Sequence, residues 1–299
     1  MLEVKNLSKK FGNFLALDNI SFKAKKGRIL GILGRNGAGK STMFRCIMNI
    51  FEKDSGNILL NGEKITTNVL DRVGFLIEEG SLTVEYTVYE QFCMFGILKN
   101  MTTDEITDSL IYWLKKFNIY EYLNTKIKKI SKGNRQKLQF IVAVMHNPDL
   151  IILDEPFSGL DPLSSSELKN VILELKKQGK IIIFSSHQME NVESLCDDIL
   201  MINEGKEVLS GNLNDIKNAY NKKKITIIGN IDVDKIQNEN IYKIVSDKID
   251  TYDLYVNGSE NTSRIIEQLK EYNLQSIIID NLSLEDIFME KAGEKYEEQ

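Results

Sequence analysis

The feature that most constrains this chain is a glycine-rich run between an apolar stretch and an amphipathic one. The run consists of Gly34, Arg35, Asn36, Gly37, Ala38, Gly39, Lys40, Ser41 and Thr42, and it fits the pattern G-x-x-x-x-G-K-[S/T] without a mismatch. Residues 29–33 before it are almost wholly apolar, as in a central strand buried on both faces. Met43, Phe44 and Ile47 after it share one helical face. A strand, a glycine-rich loop and a helix in this order predict a phosphate-binding loop.

The residue types of this loop suit a nucleoside triphosphate. Glycines allow backbone N–H groups to turn towards the β- and γ-phosphates, at a helix N-terminus that favours anions. We expect Lys40 to neutralise the phosphates and the Ser41 hydroxyl to hold Mg²⁺. A glycine-rich turn without a ligand is the alternative, and the flanking strand and helix argue against it.

Two acidic residues end a second apolar stretch. Residues 150–153 are apolar and are followed by Asp154 and Glu155. A carboxylate at a strand end beside a phosphate loop can hold Mg²⁺ through its waters, which suits Asp154. Glu155 would then face the γ-phosphate and polarise the attacking water. A surface acid after a strand is the alternative interpretation of Glu155.

A histidine follows the next apolar stretch. A helical pattern over residues 168–175 and an apolar run over 181–184 predict a strand–helix–strand unit with parallel strands that are neighbours or near neighbours. His187 would therefore lie at the same sheet edge as the two acids, where it could donate a hydrogen bond to the γ-phosphate. The other histidine, His146, is interpreted as structural.

Residues 130–137 carry the motif that distinguishes one family. Ser131, Lys132, Gly133 and Asn134 lie before a helical pattern with Leu138 and Ile141 on one face. This segment resembles the signature loop of the ATP-binding cassette (ABC) family, whose usual form is L-S-G-G-Q. Lys132 and Asn134 depart from that form. The resemblance covers about residues 1–215. Within the family, the chain resembles the branch that serves drug, bacteriocin-immunity and sodium-efflux exporters.

The resemblance implies roles for further residues. Phe11 matches the aromatic residue that stacks on adenine, Asp161 matches the subunit-contact loop, and His187 matches the switch histidine. Glu78 takes the place of a glutamine that contacts Mg²⁺ and water, so it is expected as a metal ligand and a catalytic residue. We hypothesise that the positive charge of Lys132 partly offsets the extra negative charge of Glu78 across a closed interface.

The expected fold is an α/β P-loop NTPase (RecA-like) core with a helical subdomain at about residues 88–145, plus a small C-terminal α+β accessory domain. The domain boundaries are placed at 1–222 and 223–299. Within the helical part, Thr102 and Glu105 form a capping-box pattern, and Trp113 and Phe117 are interpreted as core residues rather than docking aromatics. A regulatory, dimer-supporting or purely structural role is open for the C-terminal domain.

Composition and motif number narrow the function. The net charge of −5 gives no nucleic-acid footprint, no apolar run is long enough to span a membrane, and the start of the chain has no secretory pattern. The resemblance implies an ATPase that powers a membrane transporter, with ATP and Mg²⁺ as cofactors and membrane-spanning permease subunits on separate chains. It also implies a head-to-tail dimer, with itself or a close homologue, at the cytoplasmic face of the cell membrane.

A soluble ABC ATPase acting on ribosomes or DNA is the alternative function. A second phosphate loop or a coiled-coil insert would favour this alternative, and neither is present in the sequence.

Overall fold

The structure, a computed structural model, describes residues 1–77, 82–229, 241–248, 250–270, 272 and 274–292. The chain divides into two compact units, Met1–Gly211 and Asn212–Gln299. Within the described residues, no helix combines the length and the hydrophobicity that crossing a bilayer requires.

An antiparallel sheet of order β2-β1-β4-β5 begins the first unit. Its strands are β1 (Leu2–Phe11), β2 (Phe14–Ala24), β4 (Ser55–Leu60) and β5 (Glu63–Lys64). Alternate residues such as Leu2, Val4, Ile58 and Leu60 are buried, because one face of this sheet covers the main core. The turn between β1 and β2 brings Phe11 and Phe14 opposite each other.

A six-stranded sheet of order β10-β9-β3-β8-β7-β6 carries the predicted loop and acids. Its strands are β3 (Arg28–Leu33), β6 (Val73–Leu76), β7 (Leu150–Leu153), β8 (Ile181–Ser186), β9 (Asp198–Asn203) and β10 (Lys206–Asn212). The strands from β9 to β6 pair in parallel. The predicted parallel neighbours β7 and β8 are therefore confirmed, and their carboxyl ends meet at one sheet edge.

Four of the described helices accompany the two sheets of the first unit. They are α1 (Lys40–Ile47), α2 (Thr67–Leu70), α6 (Pro162–Lys177) and α7 (Met189–Leu195). The apolar face predicted for α1 is buried at Met43, Phe44 and Ile47. The α/β P-loop core expected from the sequence is confirmed.

Three further helices of the described residues lie within the span predicted to be helical. They are α3 (Val88–Leu98), α4 (Thr103–Lys116) and α5 (Lys132–Val144). Thr102 and Glu105 form the predicted capping box of α4. Trp113 and Phe117 are buried and stack on each other, with Phe140 of α5 edge-on to both. Their predicted core role is confirmed.

Helix α5 approaches strand β6 closely. A methyl group added to Gly74 would lie 1.8 Å from the carbonyl oxygen of Ala143, so only glycine permits this contact. Beside it, the carbonyl oxygen of Val73 lies 3.2 Å from both Lys99 Nζ and His146 Nε2. Backbone contact therefore attaches the C-terminal part of α5 to the central sheet.

The second unit is an antiparallel sheet with helices, as the sequence predicts. Its described strands are β11 (Lys222–Gly229), β12 (Ile241–Lys248), β13 (Thr251–Asn257) and β14 (Leu274–Asn281), in the order β12-β13-β11-β14. Its described helices are α8 (Leu213–Ala219), α9 (Thr262–Leu269) and α10 (Leu284–Ala292). Ile225, Ile227, Leu254, Ile265 and Leu269 belong to its core.

Candidate functional site

The glycine-rich loop connects β3 to α1 and closes around its own lysine. Gly39, the N-cap of α1, has φ +108°, and a methyl group there would lie 2.7 Å from the carbonyl oxygen of Ala16. Lys40 is only 6% exposed. Its Nζ donates to the carbonyl oxygens of Gly34 at 2.7 Å and Arg35 at 3.3 Å. The loop thus presents a buried positive charge at a helix N-terminus, which is favourable to phosphate.

Asp154 follows β7 and is almost completely buried. Its Oδ1 accepts a hydrogen bond of 2.6 Å from the hydroxyl of Ser185, and its backbone N–H donates to Leu76 at 2.9 Å. Sequence reasoning did not single out Ser185. The only signal was its place in the pair Ser185–Ser186 at the end of an apolar strand, directly before His187.

Glu155 holds an unusual backbone conformation. Its φ is +47°, a left-handed value that is costly for a residue with a side chain. Its N–H donates to the hydroxyl of Ser185 at 2.9 Å, and its carbonyl accepts from the N–H of Ser158 at 3.1 Å. These two bonds support a turn that directs the Glu155 side chain towards Lys40 and His187.

The carboxylate of Glu155 lies between two basic residues. Oε2 is 3.0 Å from Nδ1 of His187, and Oε1 is 3.7 Å from Nζ of Lys40. Oε1 is buried and accepts no hydrogen bond from the described residues. Burial raises the pKa of this carboxyl above its ordinary value, whereas the hydrogen bond and charge of His187 and the charge of Lys40 oppose the rise.

A cavity of about 370 Å³ joins the loop to the acids. Its lining residues are Phe14, Ala16, Arg35, Asn36, Gly37, Gly39, Lys40, Ser41, Thr42, Asp154 and Glu155. The Ser41 hydroxyl and the Asp154 carboxylate are oxygen donors on the same cavity, and Mg²⁺ prefers such donors together with phosphate oxygens. These residues therefore fit a Mg²⁺–nucleotide complex.

The aromatic residue on the cavity wall is Phe14, not Phe11. The ring of Phe11 packs edge-to-face against Phe51 at a centroid distance of 5.3 Å, and Nζ of Lys9 lies 5.1 Å from its centroid. Phe14 is 64% exposed. Among the described lining residues, the aromatic ring is thus the one three residues after Phe11.

The signature segment begins a helix away from the cavity. Ser131 is the N-cap of α5, and its hydroxyl accepts from the N–H of Asn134 at 3.3 Å. A methyl group added to Gly159 would lie 2.8 Å from Cε of Lys132, and one added to Gly133 would lie 3.8 Å from Leu160. The start of α5 therefore packs on residues 159–160, and among the described lining residues of the cavity none comes from the signature.

Asp161 serves as the N-cap of α6. Its Oδ1 accepts from the N–H groups of Leu163 and Ser164, both at 3.0 Å. Hydrogen bonds from the amide and hydroxyl of Ser164 hold the pKa of Asp161 below its ordinary value. Glu78, the remaining predicted site residue, lies outside the described residues, two positions after the end of β6.

This fold and site define the class of the protein. The family described as ABC transporter matches residues 17–158, and the family described as the C-terminal domain of DrrA1-3-like ATP-binding proteins matches residues 211–292. The chain belongs to the ABC transporter ATP-binding proteins, and it is an ATPase of that family.

Individual relatives extend this similarity over the whole chain. The chain is 37% identical over 298 residues to the uncharacterized ABC transporter ATP-binding protein YhaQ of Bacillus subtilis, covering 99% of this chain and 100% of YhaQ. It is 34% identical over 219 residues to the linearmycin resistance ATP-binding protein LnrL of the same organism, covering 72% and 70%. A solved ATP-binding subunit of an ABC transporter aligns with a TM-score of 0.69 at 30% identity, covering 74% of this chain and 93% of that one.

Proposed function

We propose that this chain is the ATP-hydrolysing subunit of a transporter whose membrane-spanning permease lies on separate chains. The observation that carries the proposal is the convergence of Lys40, Asp154, Glu155 and His187 at one sheet edge, three of them buried. The names of its relatives as transporter ATP-binding proteins support the coupling to transport. The resistance function in the name of LnrL favours export as the direction.

We propose a task for each of these residues. Lys40 exchanges the carbonyls of Gly34 and Arg35 for the phosphates of ATP. When bound, Mg²⁺ would neutralise phosphate charge, and Ser41 and Asp154 would hold it. Glu155 accepts a proton from the attacking water at Oε1, the oxygen that has no hydrogen-bond donor among the described residues. His187 holds the other oxygen of Glu155 and thereby restricts the orientation of the carboxylate.

The signature segment favours a head-to-tail dimer. Because Ser131–Asn134 are absent from the described lining of the cavity, this chain offers them to a second cassette rather than to its own nucleotide. Each of two sites would combine one phosphate loop with the partner's signature. ATP would join them, since its γ-phosphate supplies the negative charge that both helix N-termini attract. We place this dimer at the cytoplasmic face of the membrane, on the permease.

Turnover and transport can be tested in two stages. The purified chain should hydrolyse ATP in the presence of Mg²⁺, and Lys40→Ala should bind ATP more weakly, because a phosphate counter-charge is lost. Where a neighbouring gene encodes a protein with several membrane spans, the tagged chain co-expressed with that protein should retain it in detergent and show faster turnover. Retention of ribosomes or DNA in place of a membrane protein would contradict the transport proposal and favour the soluble alternative.

A further inference from the structure

We propose that Ser185 is a positioning residue that sets the Mg²⁺-facing carboxylate of Asp154 and the water-facing carboxylate of Glu155 relative to each other. This inference rests on the proposed function, because it assumes that Asp154 serves the metal and Glu155 the water. It adds to the reaction a residue that the motifs do not indicate.

Ser185 occupies the centre of the site edge. It is the second-last residue of β8, which lies between β3 and β7. On one side, its Cα pairs with Ile32, two residues before the phosphate loop starts at Gly34. On the other side, the last residue pair between β7 and β8 is Leu153 with Phe184, and the next residue along the chain after β7 is Asp154. The Ser185 side chain is fully buried, so its hydroxyl must be satisfied by protein groups.

One hydroxyl bonds to both acids. Ser185 Oγ donates to Asp154 Oδ1 at 2.6 Å and accepts from the backbone N–H of Glu155 at 2.9 Å. The first bond fixes the rotation of the Asp154 carboxylate and leaves its second oxygen for the metal shell. The second bond holds the amide of a residue whose φ is +47°. A single side-chain atom therefore links the Asp154 carboxylate to the backbone that carries Glu155.

The loss of this atom has two separable consequences. Without the hydroxyl, Asp154 can rotate, so its free oxygen no longer has one preferred position for the metal. The N–H of Glu155 would also lose its hydrogen-bond acceptor, which weakens the support of the left-handed turn. Outer groups that orient metal ligands typically change metal affinity or activity by about 10- to 100-fold when removed.

Ser186 is a matched control within the same strand. It is also buried, but its hydroxyl bonds to the backbone of Gln188 at 3.0 and 3.2 Å and contributes to the turn before α7. Ser185→Ala and Ser186→Ala thus delete the same atom from adjacent buried positions. Only the first deletion removes a bond to the acids.

The test measures metal-dependent nucleotide binding as well as turnover. A fluorescent ATP analogue is titrated at a series of Mg²⁺ concentrations with the full chain and with Ser185→Ala, Ser185→Thr and Ser186→Ala. We expect Ser185→Ala to need about 10-fold or more Mg²⁺ for half-maximal binding. Binding without Mg²⁺ should be unchanged, because Lys40 and the loop still hold the phosphates. Ser185→Thr, which keeps the hydroxyl, should recover most of the Mg²⁺ affinity, and Ser186→Ala should leave the Mg²⁺ dependence unaltered.

A double-mutant cycle completes the test. If Ser185 acts through the Asp154 carboxylate, adding Ser185→Ala to Asp154→Asn should change the Mg²⁺ requirement far less than Ser185→Ala does alone. Equal Mg²⁺ dependence in the unaltered chain and in Ser185→Ala would overturn the positioning role. Absence of any Mg²⁺ dependence in the unaltered chain would instead contradict the proposed function. If Ser185→Ala does not fold, the same cycle is carried out with Ser185→Thr and Asp154→Asn. Because threonine keeps the hydroxyl, a loss of Mg²⁺ affinity in Ser185→Thr equal to that in Asp154→Asn overturns the proposal.

Discussion

Nδ1 of His187 lies 3.0 Å from Oε2 of Glu155, so a half-exposed histidine fixes a buried carboxylate. The other oxygen of that carboxylate faces Nζ of Lys40 at 3.7 Å. One oxygen of the Glu155 carboxylate is thus held by His187, the residue after β8. The other oxygen faces Lys40 of the phosphate loop. This division lets one partner orient the carboxylate while its second, buried oxygen accepts no hydrogen bond from the described residues.

The first prediction concerns Glu155→Gln. The amide keeps the size of the side chain but cannot take a proton from water, so ATP turnover should fall by about 10²-fold or more while ATP binding remains nearly intact. Phosphate release under single-turnover conditions measures the first quantity, and equilibrium binding measures the second. Turnover close to that of the unaltered chain would remove Glu155 from the role of base.

The second prediction concerns assembly. With Glu155→Gln and saturating ATP, light scattering should detect a dimer, and without nucleotide a monomer. Adding Ser131→Arg should block the dimer without abolishing ATP binding, since the larger side chain obstructs the helix start that faces the partner. Thr103→Arg, at the exposed start of α4, places the same charge in the helical region and is the control. A chain that stays monomeric with ATP would exclude the homodimer and favour a homologous partner.

The third prediction separates two aromatic residues. Because Phe14 lines the cavity while Phe11 packs on Phe51, Phe14→Ala should weaken ATP binding more than Phe11→Ala does. The expected loss is about 10-fold, in line with stacking of a base on an aromatic ring. Binding of inorganic triphosphate, which has no base, should be equal in both variants. A larger loss in Phe11→Ala would favour the role that the family resemblance gives to Phe11.

The fourth prediction concerns acid stability through His146. Burial, together with the charge of Lys99, lowers the pKa of His146 to about 4. The unfolded chain binds a proton at this residue below its ordinary pKa of 6.5, whereas the folded chain does so only near 4. Stability should therefore fall as the pH drops from 6.5 to 4, by up to about 3 kcal/mol from this group.

His146→Gln should reduce the loss of stability between pH 6.5 and 4. Lys99→Met should raise the pKa of His146 and so narrow the pH range over which stability is lost. Trp113, the single tryptophan of the chain, is buried in the first unit and reports its unfolding by fluorescence. Equal slopes of stability against pH in the unaltered chain and in His146→Gln would contradict the assignment.

The sequence alone predicts those parts of the fold and the candidate site that are formed by residues close together along the chain. The phosphate loop, the acids after β7 and the capping box of Thr102 follow from local pattern, because each is formed within a few residues. The position of His187 beside the acids followed from the rule for parallel strands. These predictions needed no knowledge of side-chain packing.

The missed features depend on packing between distant segments. Ser185 acquires its role only because β8 lies beside β7, and a serine at a strand end has no distinctive pattern. Which of Phe11 and Phe14 lines the cavity depends on Phe51, about 40 residues from Phe11 in the sequence. The Phe11 ring packs against Phe51 and does not line the cavity. Strand β12 has no clear signal in the sequence, because Tyr242 and Ile244 are exposed and the strand lacks an apolar alternation.

The contact between Gly74 and the carbonyl oxygen of Ala143 gives α5 a pivot at one end. The helix has 13 residues, and Ser131 precedes it, so the signature lies roughly 18 Å from the pivot. A tilt of about 5° there displaces Ser131 by roughly 1.5 Å, over half the length of a hydrogen bond. A small rotation of the helix about this contact would therefore suffice to make or break a polar contact at its opposite end.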